Sequence, residues 1–83
     1  MNTQTATGEG IEISPRFRQS IEERIVRLEK DAAFDEQQVV FLSDGDHIVR
    51  HMRMVTAQRA EAERMRLFLE RARTRLPRPL IAL

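Results

Sequence analysis

Cysteine, tryptophan and tyrosine are all absent from these 83 residues, and glycine and proline occur three times each. Without thiols there is no disulfide framework and no cysteine-bearing zinc module. Four phenylalanines are the whole aromatic supply, too few for a platform on which bases stack. No apolar run approaches the roughly 20 residues of a spanning helix. The opening MNTQTATGEG has neither a basic nor an apolar region, so no membrane partner and no secretory leader are expected, and the setting reads as cytoplasmic. Catalytic patterns are missing as well. Ser14, Ser20 and Ser43 stand in no nucleophile elbow, and glycines at 8, 10 and 45 form no phosphate loop. The expectation is a protein that is not an enzyme and takes no cofactor.

What the chain does carry is charge, fourteen basic against thirteen acidic side chains. The near-balance conceals a division. Residues 1–45 hold five basic and nine acidic groups, whereas residues 46–83 hold nine and four, so the two halves attract each other. Lys30 is the single lysine among the cations; the rest are arginine. A chain of this length buries only about 60% of its unfolded surface, a marginal amount for independent stability. With disulfides excluded, oligomerisation is the expected aid.

Residues 1–13 read as a flexible arm of Thr, Gln and Gly, apolar only from Ile11 and Ile13. Ser14-Pro15 then has the chemistry of a helix start: the serine hydroxyl accepts an orphan amide, and proline loses nothing at the first helical position. Ile21, Ile25, Leu28, Ala32, Val39 and Leu42 recur at spacings of three, four and seven, which predicts a helix over 15–42 facing a partner helix. Ser43-Asp44-Gly45-Asp46 is the strongest break, with Gly45 suited to a left-handed helix end and Asp46 to the next cap. Ile48, Met52, Val55, Ala62, Leu69 and Leu76 form a second seam over 47–76, stopped by Pro77-Arg78-Pro79. The predicted fold class is all-α: an antiparallel helical hairpin domain over 14–76, with an apolar tail at 77–83 that folds back over it. Dimerisation into a four-helix bundle is expected. The alternative is α-β-β-α, because Gln38–Leu42 is rich in strand formers and Asp44-Gly45 is a good hairpin turn. It lacks the alternation that a half-exposed ribbon needs.

A two-helix hairpin exposes its off-seam apolar residues. On the first arm these are Val26, Phe34, Val40 and Phe41; on the second, Met54, Met65, Phe68 and Ala72. Phe34, Phe41, Met54 and Ala72 are the expected dimer interface. Met65 and Phe68, with Arg64, Arg71 and Arg75 around them, are the expected protein-binding cluster, an anchor with a cationic rim. His47 and His51 stand one helical turn apart, a metal-ligand spacing. Ile48 occupies the place of a zinc protease's glutamate and no third histidine exists, so no metal is expected and the pair reads as solvent-facing or interfacial. Asp44-Gly45-Asp46 is a turn, since His47-Ile48-Val49 interrupts any calcium loop.

Such a composition suits an accessory protein of a phage or another mobile element. The expected function is to bind a host protein, as a homodimer, and inhibit or redirect it. The alternative is a nucleic-acid-binding regulator using the arginine-rich second helix. That alternative is the weaker one, because the sequence pI of about 8.5 is modest and Arg59 and Arg66 stand four residues before Glu63 and Glu70.

Overall fold

The computed structural model describes residues 11–75. A two-residue strand, β1 (Glu12–Ile13), leads into helix α1 (Pro15–Gln38), a single 3-10 turn follows at Val39–Phe41, and helix α2 (Gly45–Arg71) returns to a second short strand, β2 (Arg73–Thr74). The fold is the predicted helical hairpin.

Each end of α1 has a local cause. Ser14 keeps extended backbone geometry and its hydroxyl accepts the Phe17 amide at 3.0 Å, with Pro15 inside the first turn. At the other end the helix stops at Gln38, four residues before the predicted Leu42. The Val39 amide turns to the Glu36 carbonyl instead of continuing the α-helical ladder, and the tightened turn runs to Phe41. Adjacent β-branched residues at 39 and 40 lose side-chain freedom in a helix, which favours this early exit.

Residues 38–50 therefore form helix, 3-10 turn and helix, and the alternative β-ribbon around Asp44-Gly45 is not formed. The cap of α2 is Asp44, which accepts the Asp46 amide at 2.9 Å, not Asp46. Gly45 begins the helix rather than ending one, and its backbone has no left-handed φ. The second helix accordingly starts two residues before the predicted 47. It ends at Arg71, well before 76, with Ala72 already extended.

That early end releases Arg73–Thr74 to pair in parallel with Glu12–Ile13. The Arg73 amide donates to the Ile11 carbonyl and the Arg75 amide to the Ile13 carbonyl, both at 2.8 Å. The last residues of the expected flexible arm are thus tied across the open end of the hairpin, and Ile13 is buried. Leu76 and the tail 77–83 lie outside the described residues.

The two arms meet along the predicted stripes. Ile25 and Ala32 from α1 and Val55, Ala62 and Leu69 from α2 are buried, the latter three at seven-residue intervals. Ile21, Leu28, Val39, Leu42, Ile48 and Met52 flank them half-buried. Ile13, Ile25, Ala62 and Leu69 form one cluster, against which Ile21 and Leu28 pack. Met65, Phe68 and Ala72 pack against it too. Spacing alone sets these three off the seam. They turn inward because Ile13 and Phe17 widen the buried stripe near the open end, where the Phe17 and Phe68 rings meet edge to face at 6.5 Å.

Truncating Leu69 to Ala should lower the unfolding free energy by about 2–4 kcal/mol, and half-buried Leu28→Ala should cost less, when both are compared by denaturant unfolding. Gly45→Ala should raise stability by about 0.5 kcal/mol, because a Cβ there meets nothing within 4 Å and alanine restricts the unfolded chain. A lower midpoint for Gly45→Ala would contradict the helical assignment at that residue.

Candidate functional site

Polar side chains cross the hairpin in one seven-residue rhythm. On α1, Glu29 and Glu36 stand seven apart; on α2, Arg66 and Arg59 do the same. Arg66 pairs with Glu29, and Arg59 with Glu36 at 2.7 Å. The charge difference between the halves is spent here, as pairs between the arms. Arg59 reaches across to α1 rather than along its own helix to Glu63. The guanidinium of Arg59, by its hydrogen bond and then by its charge, holds the Glu36 carboxyl below the usual carboxylate range.

Near the turn a second polar group sits in the seam. His51 Nε2 lies 2.6 Å from the Asp35 carbonyl and donates to it. A histidine N–H from α2 thereby reaches a carbonyl in the last turn of α1. Gln58 donates to the Asp35 carboxylate at 3.1 Å. His51 is therefore interfacial, engaged with the backbone, while His47 is exposed. Among the described residues no group of three or more His, Cys, Asp or Glu side chains is placed to hold a metal ion.

The expected protein-binding residues are split by the packing. Arg64, Arg71 and Arg75 are exposed, whereas Met65 and Phe68 are half-buried supports of the core. Arg64 pairs with Glu61 and Arg75 stands 3.6 Å from Glu12. Ile11, Leu67 and the edge of Phe68 form a shallow groove between Arg64 and Arg71. Of the expected dimer interface, Ala72 is likewise packed on the core. Phe34 and Phe41 stand out in solvent at 60% and 77% exposure, and Met54 is exposed to a lesser degree.

The most prominent apolar feature is the tip of the hairpin. Val40, at 78%, and Phe41 project from the 3-10 turn, uncovered by any of the described residues. Spacing marks both as off-seam, but does not show the 3-10 turn that carries them. The exposed apolar residues Val49 and Leu67 on α2 escaped the sequence reading, although a count at helical spacing from Val49 through Thr56 and Ala60 to Leu67 would have found that second stripe.

No family model matches the chain, and neither do the curated proteins or the solved structures. The surface itself must carry the functional reading. Among the described residues no helix is long and apolar enough to cross a membrane.

The Glu36–Arg59 pair has a definite pH signature. A carboxyl lowered in the folded state adds stability that is complete above its ordinary value of 4.5 and vanishes as pH falls through the lowered folded value. Thermal unfolding should therefore separate the parent from Glu36→Gln at neutral pH, with the gap closing in acid. A gap that persists at the lowest pH would show that Glu36 acts by something other than its charge.

Proposed function

We propose that this chain is a non-enzymatic helical interaction protein that associates with itself and binds another protein through its apolar tip. The observation that carries the reading is the exposure of Val40 and Phe41 at the turn, with Phe34 nearby in sequence and also exposed. Large apolar side chains exposed together are the anchors that protein interfaces use, surrounded by polar groups. The anchor role thereby moves from Met65 and Phe68, which the hairpin half-buries, to residues that it leaves free.

The composition supports a phage or mobile-element accessory protein, acting in the cytoplasm on a host protein that it inhibits or redirects. Nucleic acid is the weaker partner, because Arg18, Arg59, Arg64, Arg66 and Arg75 all stand in ion pairs with carboxylates, which lowers the charge available to phosphates.

Capture from a bacterial lysate tests this. The parent protein should retain a protein partner through a high-salt wash and nuclease treatment, and Val40→Ser with Phe41→Ser should reduce that capture about tenfold or more while leaving the helical circular dichroism unchanged. Capture that salt and nuclease abolish would favour nucleic acid. Capture undiminished in the double variant would remove the tip from the site.

A further inference from the structure

Beside the seam, the outer side of α2 carries an apolar groove. Val49, Thr56, Ala57 and Ala60 line it, with Arg53 among them, and the half-buried seam residues Ile48 and Met52 form its inner wall. The same three- and four-residue steps continue through Glu63 to Leu67, and Val49 and Leu67 are 50% and 40% exposed. On a helix of 3.6 residues per turn this stripe lies roughly 140° round from the seam of Val55, Ala62 and Leu69, so it faces away from α1.

We propose that this face binds the same face of a second copy of the chain, with the two α2 helices antiparallel about a two-fold axis level with Gln58. The stripe is complementary to itself about that level. Val49 meets Leu67 of the second copy, Thr56 meets Ala60, and Arg53 meets Glu63, and the symmetry makes each pair twice. The small side chains at the centre let the helices approach closely, while the larger apolar ones close both ends. Charge selects the direction. A parallel pair would set Arg53 against Arg53 and Glu63 against Glu63, whereas the antiparallel pair sets opposite charges together. Both side chains are exposed, Arg53 has no ion pair among the described residues, and Glu63 has only a loose one to Arg66 at 3.7 Å. Beyond Val49 and Leu67 the same register brings Asp46 towards Glu70 of the second copy, and these like charges bound the contact.

The resulting assembly is a single layer, α1-α2-α2-α1, rather than the closed four-helix bundle expected from composition. It has a functional consequence that rests on the tip reading above. Within one hairpin the Val40–Phe41 tip and the end of the cationic edge at Arg71 lie at opposite ends of α2, about 40 Å apart. The antiparallel dimer places Gly45 of one copy level with Arg71 of the other. Each end of the assembly then presents the apolar tip of one chain beside the cationic edge of its neighbour, a juxtaposition that one hairpin alone does not make.

Charge exchange tests the contact directly. A contact between two helices belongs to the weaker class of interfaces, so sedimentation is run up to about 100 µM chain. The parent should dimerise, and Arg53→Glu and Glu63→Arg should each weaken the dimer about tenfold, because each sets like charges face to face. An equimolar mixture of the two variants should recover the dimer as a heterodimer, since both of its charge pairs are again opposite. A monomeric parent, single variants that dimerise as the parent does, or a mixture that fails to recover would overturn the proposal. Val40→Ser with Phe41→Ser should leave the dimer intact. If it dissociates the dimer while the charge variants do not, the tip is the self-contact instead. Loss of lysate capture with the dimer preserved would separate the fate of the tip from that of the α2 contact.

Discussion

Two helices lying side by side share one seam, and everything else about this molecule follows from how little that seam can bury. Six apolar residues are buried among the described ones, and three of them are Ala32, Val55 and Ala62. Small side chains at the centre draw the helices together, which secures packing at the cost of buried area. The close approach also brings Glu29 and Glu36 within reach of Arg66 and Arg59. Exposed pairs of this kind contribute little to stability by themselves. Their larger service is to fix the register of the arms, since a shift of one turn would part both pairs together.

The ends of the hairpin are fastened by backbone chemistry. At the open end the pairing of Glu12–Ile13 with Arg73–Thr74 ties the chain before α1 to the chain after α2, and it buries Ile13 against Leu69 and Ala62 in one cluster. At the turn end His51 from α2 donates to the Asp35 carbonyl in the last turn of α1. Both devices join residues far apart in sequence. They stabilise the antiparallel arrangement specifically, not either helix alone.

The parts of this fold that were legible in the sequence are those determined locally. Ser14-Pro15 announces a helix start by its own hydrogen-bonding chemistry, and the seven-residue recurrence of Val55, Ala62 and Leu69 specifies a seam. The boundaries were less legible. Val39 to Leu42 is apolar throughout, so hydropathy does not distinguish helix from 3-10 turn, and the backbone decides through the Val39 amide. Nothing in Ala72-Arg73-Thr74 signals a helix end. Helix α2 stops there because a strand partner exists some sixty residues earlier, a non-local pairing that no short window contains. Met65 and Phe68 turned inward for a related reason: Phe17 and Ile13 supply neighbours from the other end of the chain. Of the candidate site, Phe34 and Phe41 were legible as exposed aromatics, while the α2 stripe was hidden by the arginine and glutamate within it.

A single layer of this kind leaves apolar surface on more than one side, and covering it offsets the marginal burial of the hairpin. Self-association and folding are then linked: whatever binds the folded chain and not the unfolded one raises its apparent stability in proportion to the logarithm of its concentration. The most direct measurement is the thermal midpoint of the parent protein over a hundredfold range of chain concentration, read by far-ultraviolet circular dichroism. The expected result is a midpoint that rises steadily with concentration. A midpoint that stays constant over that range would show that the hairpin stands alone, and would contradict an exposed surface built for association with its own kind.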